Sequence, residues 1–286
     1  MLAKIVGKYG ALDYFAAVNQ GKGLWLISLV VLCITGSLSG CQSEAESEIS
    51  HVDVVLVTEY GEIAIDLFDE TPRHRDNFLK LARAGFFDSL AFHRVIHEFM
   101  IQVGDPRTRA AYPAVDTAAD DGPGYTLPAE IGSHSVNVPG RLGAARLPDE
   151  KNPEKRSAGS QFYIVAEGEP VTSRVLDSMA NVRSGQMRGK IYEAYRAALA
   201  DSSYIGSFDE YLAGEDFEPF AYAPSARQAY REQGGAIWLD FNYTVFGEVV
   251  SGMPVVNRIN QTATDQYDRP REAIRILEAR VLADDK

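Results

Sequence analysis

Between His51 and Asp69 the chain reads HVDVVLVTEYGEIAIDLFD, two runs of alternating apolar and polar residues parted by Tyr60 and Gly61. Alternation with a period of two marks a half-buried strand, and the tight break between the runs predicts a β-hairpin. The period changes in TPRHRDNFLKLARAGFFD, where Phe78, Leu81 and Ala82 share one face at helical spacing. Thr71 stands at the N-cap position, Pro72 at the first helical position, and Gly85 is the stop. Strand-length apolar runs then recur in LAFHRVI, FMIQVGD, YTLPAEI, RLGAARL, GSQFYIVA, YTVFGEVV and IRILEARVL. Many short strands with few helices predict a mainly β fold, a closed antiparallel barrel.

From about residue 173 to 236 the pattern becomes helical. Met187, Ile191, Tyr195 and Leu199 fall four residues apart, which places them on one helical face, the side expected to pack on its own domain. Ser207 with Glu210 and Ser225 with Gln228 each match a capping box, and Gly234 and Gly235 mark the end of the last helix. Strand patterning resumes in IWLDFNYTVFGEVV, so the helical stretch is an insertion into one domain, which spans 52–284. Its flanks, GSQFYIVA and IWLDFNY, place it beside whatever those segments build, where it narrows access.

The N-terminal region stands apart. Lys4, Lys8 and Lys22 precede GLWLISLVVLCITGSLSGC, an apolar run of signal-peptide length. It ends in Leu38, Ser39, Gly40 and Cys41, an arrangement that resembles the bacterial lipobox, after which the cysteine carries lipid. On that reading residues 1–40 are a lipoprotein signal peptide, Cys41 is the lipidation site, and residues 41–51 are an acidic tether. The protein is then membrane-anchored in the bacterial cell envelope, facing the periplasm or the cell surface. The other cysteine, Cys33, lies inside the signal, so the mature chain has no thiol for a disulfide or a metal site. Removing residues 1–40 takes away three lysines and Asp13 and moves the formal charge from −12 to −14, a surface that repels nucleic acid.

The residues that invite chemistry lie in FHRVIHEFMIQVGD, where Arg94 and Gln102 run through otherwise apolar strand. In FMIQVG, alternation puts Met100 and Gln102 on one face and Ile101 and Val103 on the other; in GSQFYIV, Gln161 and Tyr163 share a face opposite Phe162 and Ile164. One face feeds a core, and the other offers amides, a thioether and a ring to an extended peptide. Alternation in AFHRVI leaves the direction of Arg94 open. His93 and His97 are four apart, which on a strand spans about 13 Å, too far for one ion.

These motifs, FHRVIHEFMIQVGD, GSQFYIV and WLDFNYTVFGEVVSGMPVVNRI, resemble cyclophilin-type peptidyl-prolyl isomerases and occur in that family's order. The resemblance implies an eight-stranded antiparallel barrel with two flanking helices and an outer-face groove. Arg94 matches the catalytic arginine, with Gln102 helping to position it. Phe99, Met100, Ala145, Gln161, Tyr163, Trp238, Leu239 and Tyr243 match the substrate-binding residues. Tyr163, Trp238 and Leu239 equally suit packing roles. Many relatives carry phenylalanine at Tyr163 and histidine at Tyr243, changes expected to tune peptide preference. Rotation about an amide needs no cofactor and no metal. The implied partners are proline-containing peptides and unfolded envelope proteins, met by a monomer. A peptide-binding chaperone that keeps the groove without useful turnover is the second reading.

Overall fold

A computed structural model describes residues 51–109 and 122–282. The stretch read as a signal, with Cys33, Cys41 and the acidic residues up to Ser50, lies outside the described residues. No helix among the described residues is long and apolar enough to cross a membrane.

The expected hairpin forms from β1 (Val54–Thr58) and β2 (Gly61–Leu67), paired from Val54↔Ile65 to Thr58↔Gly61. Thr58 locks its turn: the hydroxyl donates to Gly61 O at 2.8 Å and accepts from Tyr60 N–H at 3.1 Å. Helix α1 (Pro72–Arg83) follows with Pro72 in its first turn. Thr71 does not cap it, because its hydroxyl is turned back to the carbonyl of Phe68.

The remaining strands are β3 (Arg94–Ile96), β4 (Met100–Val103), β5 (Thr126–Leu127), β6 (Arg141–Ala144), β7 (Ser157–Ala158), β8 (Phe162–Val165), β9 (Val245–Ser251) and β10 (Ile276–Val281). Eight of them form one curled antiparallel sheet in the order β10-β1-β2-β9-β6-β8-β4-β3, and β5 pairs with β7 as a separate ribbon. Its inner face carries the alternate residues Leu56, Ile63, Ile65, Val95, Ile101, Leu142, Phe162 and Ile164, all buried. Phe78 and Leu81 of α1 and Val256 and Ile259 of α5 (Met253–Asn260) join that core. Phe162 sits edge-on to Phe78 at 5.2 Å and to Phe87 at 5.6 Å.

The sheet is open, not the closed barrel expected. Its edges, β3 and β10, share no ladder; the seam carries one isolated bridge, Ala91↔Arg275. The backbone turns through φ +65° at Ser89 and β3 ends after three residues, so there is too little extended chain beside β10 to build one.

The insertion is helical, as its period predicts: α2 (Ser173–Ala200), α3 (Phe208–Gly214) and α4 (Pro224–Gln233). Ser207 and Glu210 form the capping box on α3. Ser225 does not cap, because α4 has already begun at Pro224 behind Ala223. Gly234 ends α4 at φ +76°, and a Cβ there would lie 2.7 Å from the carbonyl oxygen of Gly168, so chain direction and close approach both require glycine. The expected stripe is not the seat of α2. Met187, Ile191 and Tyr195 are half-buried and Leu199 is exposed; only Leu176 and Ala180, in the first turns, are buried. They enter a second apolar core with Val136, Val138, Tyr222, Tyr230, Ile237 and Phe241. Full burial of a leucine such as Leu176 contributes about 1.5–3 kcal/mol, so this end fixes the helix.

Candidate active groove

Strand register assembles the groove. Arg94 pairs with Gln102 across β3 and β4, Gln102 with Tyr163 across β4 and β8, and Tyr163 with Gly143 across β8 and β6. Directly paired residues project to the same side of a sheet, so these form one outward row. The next row is Ile96, Met100 and Val165. The direction of Arg94, open from the sequence, is outward with Ile96, while Val95 enters the core.

An apolar floor underlies the row: Phe99, Met100, Tyr163, Val165 and Ala236 are buried together, with Ile96, Leu239 and Tyr243 packed against them. The short 3-10 turn Ile237–Leu239 supplies the far wall. Trp238, 39% exposed, lies against Phe99 with ring centroids 5.1 Å apart. Tyr243 stands edge-on to Tyr163 at 5.9 Å, and the Arg146 guanidinium covers Tyr243 at 4.5 Å.

Polar positions are fixed by named bonds. Gln102 Nε2 donates to Gln161 Oε1 at 3.1 Å. Gln161 is deeper than its sequence position suggests, 1% exposed, and its Nε2 has no hydrogen-bond partner among the described residues. Ala145 contributes backbone: its N–H donates to Gln161 O at 2.9 Å and its carbonyl accepts from Ala158 N–H at 2.8 Å. Arg94 Nε lies 3.9 Å from Asp268 Oδ2, and Val95 N–H donates to the Asp268 carbonyl at 2.7 Å, so the loop before β10 flanks the arginine. Tyr163 donates its hydroxyl to Asn137 Oδ1 at 2.7 Å, and burial pushes its ionisation well above the ordinary phenol range. A neutral ring suits an apolar floor.

His93, beside Arg94, is buried, and desolvation lowers its pKa to about 4, so it is neutral near pH 7. His97 bonds the carbonyl of Thr262 at 3.0 Å, so the two histidines serve different surroundings. His51, Asp53 and Asp66 bring ligand-type atoms within 4.8 Å of one another. Asp53 Oδ2 is engaged by Leu67 N–H at 2.8 Å, which makes the cluster a pin between β1 and β2.

Sequence reasoning missed Gly143, Asn137, Asp240 and Asp268. Only Asp240 left a signal, an acid directly after Trp238 and Leu239 in an aromatic stretch. Burial raises its pKa to about 6.

The family described as "Cyclophilin type peptidyl-prolyl cis-trans isomerase/CLD" matches residues 52–189 and 229–281, leaving out most of the insertion. A candidate peptidyl-prolyl cis-trans isomerase of Staphylococcus haemolyticus is 28% identical over 230 residues, covering 80% of this chain and 90% of that protein. One from Staphylococcus saprophyticus is 26% identical over 236 residues, with 82% and 94% covered. A crystal structure of a cyclophilin-type isomerase from Cryptosporidium parvum aligns over 82% of this chain and 99% of its own, at 19% identity and a TM-score of 0.47. With the family match extending over both halves of the sheet, the chain belongs to the cyclophilin-type peptidyl-prolyl cis-trans isomerases.

Proposed function

We propose that this isomerase turns over Xaa-Pro bonds in the groove of Arg94, Gln102 and Tyr163, and that its clients are exported proteins of the cell envelope. The observation that carries the site is a guanidinium in register with Gln102 above the apolar floor of Phe99 and Met100.

The chemistry follows from what rotation does to an amide. Resonance gives the C–N bond a barrier of about 18–20 kcal/mol, and X-Pro bonds isomerise unaided in tens to hundreds of seconds. Twisting localises the lone pair on the prolyl nitrogen. A donor aimed there bonds the twisted state more strongly than either planar state, which lowers the barrier. Arg94 supplies that donor and keeps its charge at every relevant pH. Phe99, Met100 and Leu239 grip the proline ring, Trp238 and Tyr243 border it, and Gln102 orients the preceding carbonyl. No bond is made or broken, so no nucleophile or proton relay is needed.

Arg94→Ala in a protease-coupled assay on a short Xaa-Pro peptide is expected to lower turnover by at least about a hundredfold while binding weakens far less. Turnover within a few fold of the wild type would exclude this role for Arg94. The envelope placement rests on the apolar run before Cys41 and the acidic tether after it. Mass spectrometry of the mature protein is expected to find an acylated N-terminal Cys41; an unmodified chain beginning elsewhere would remove the lipid anchor.

A further inference from the structure

Asp240 lies next to the groove wall, 5% exposed, and is held by residues from both the β domain and the insertion. Its Oδ1 accepts from Asn137 N–H at 2.7 Å and Asn137 Nδ2 at 3.2 Å. The Tyr230 hydroxyl lies 2.7 Å from Oδ1 and 2.8 Å from Oδ2, and the Tyr222 hydroxyl donates to Oδ2 at 2.9 Å. Tyr230 belongs to α4 and Tyr222 to the segment before it, and both are buried. Asn137 then passes the order on, since its Oδ1 receives the Tyr163 hydroxyl at 2.7 Å. The backbone reinforces the junction: Ala236 N–H donates to Asn137 O at 2.8 Å, and Val171 N–H to Tyr230 O at 2.8 Å.

Both groove walls therefore converge on one carboxylate. Tyr163 reaches it through Asn137, and Trp238 and Leu239 precede it in the chain. A buried anion is tolerable only with its donors in place, and here two of them are phenols that the insertion brings.

We propose that Tyr222 and Tyr230 are positioning residues for isomerisation: they hold Asp240, and through Asn137 the Tyr163 ring, in the arrangement that receives the proline side of the peptide. The insertion thus helps to complete the groove. The inference rests on the groove assignment above, which Arg94→Ala tests independently.

The coupling has a pH signature. The groups facing Asp240 are Tyr222 and Tyr230 of the insertion, Asn137, and beyond it Tyr163 of β8. Cations act on its neighbours: Arg183 of α2, over the Phe241 ring at 4.5 Å, on Tyr222, and Arg146, over the Tyr243 ring at 4.5 Å, on Tyr163. Burial raises Asp240 to about 6 against the pull of these donors. Protonation below that pH removes an acceptor from three competing donor residues. Removing a donor by Tyr→Phe weakens the charged form and moves the midpoint to higher pH.

The test is kcat and KM on a short Xaa-Pro peptide from pH 5 to 8 for wild type, Tyr222→Phe, Tyr230→Phe, the double variant and Asp240→Asn, each checked for fold by circular dichroism. The double variant is expected to raise KM about fivefold with kcat less affected, the equivalent of one lost hydrogen bond. Its acid limb should shift to higher pH, and Asp240→Asn should lose the limb near pH 6. Folded phenylalanine variants with wild-type KM and an unmoved pH profile would overturn the proposal. Where a variant does not fold, NMR of the wild type decides. Tyr163 and Trp238 resonances that titrate together with the Asp240 carboxyl carbon support the coupling, and groove resonances that ignore that titration overturn it.

Discussion

Gly143 is where the groove wall leaves least room for a side chain. An added Cβ would lie 2.0 Å from Tyr163 Cζ and 2.2 Å from its hydroxyl oxygen. The ring cannot swing aside cheaply, because Asn137 holds its hydroxyl and Tyr243 stands at its edge. Gly143→Ala is therefore expected to expel the Tyr163 ring from its seat, to cost about 1–3 kcal/mol of stability as overpacking does, and to raise KM. Thermal unfolding and steady-state kinetics read the two effects, and an unchanged KM would show that the ring's seat does not matter to the peptide. Residues of this kind explain what was legible. Arg94, Met100 and Gln102 lie within one short stretch whose two strands pair with each other, so local alternation finds most of them. Tyr163 meets Asn137 across 26 residues and Asn137 meets Asp240 across 103, and no local pattern encodes partners at such separations.

At the scale of elements, periodicity located the strands and helices but not the layer each one packs on. The four-residue stripe of α2 is a correct sign of helix, yet the β domain meets that helix only near Leu176 and Ala180. Further along, Tyr192, Tyr195, Tyr204, Phe208 and Tyr211 pack on one another, rings 5.0–6.1 Å apart, which supports α3 without any fully buried residue. The same gap explains the sheet: short alternating runs reveal its strands, whereas closure depends on how β3 and β10 meet in space. Helix α3 is consequently held by its cap and this aromatic stack. Ser207 Oγ accepts from Glu210 N–H, and Glu210 Oε2 accepts from Ser207 N–H at 2.8 Å. Ser207→Ala should cost about 1 kcal/mol locally. Because α3 can open without disturbing the main core, hydrogen exchange of amides 208–214 should quicken while the global melting temperature stays within about a degree. A global loss of several degrees would mean that α3 unfolds only with the whole domain.

For the whole molecule, two buried titratable groups oppose each other as pH falls. Asp240 takes up its proton at about 6 in the folded protein, against 3.8 for an ordinary aspartate, because burial disfavours its charge. Between those values the folded state holds more protons than the unfolded chain, so stability rises as pH is lowered. His93 runs the other way: burial lowers it to about 4 from 6.5, so the unfolded chain protonates first and stability is lost over that range. Each shift spans roughly two units and is worth about 3 kcal/mol at 1.36 kcal/mol per unit. His74 adds to the loss, since burial lowers it too, against the pull of Glu130. The gain from Asp240 thus offsets much of the acid sensitivity that the buried histidines impose between pH 6 and 4. Asp240→Asn keeps the shape, and its amide can donate to the two phenol oxygens once their hydroxyls rotate, but it cannot titrate. Denaturant unfolding from pH 7 to 4 should then show the variant losing about 3 kcal/mol more than the wild type. Titrations common to both proteins cancel in that difference, so parallel stability curves for the two would mean that Asp240 keeps the same pKa in the folded and the unfolded chain and that burial does not raise it.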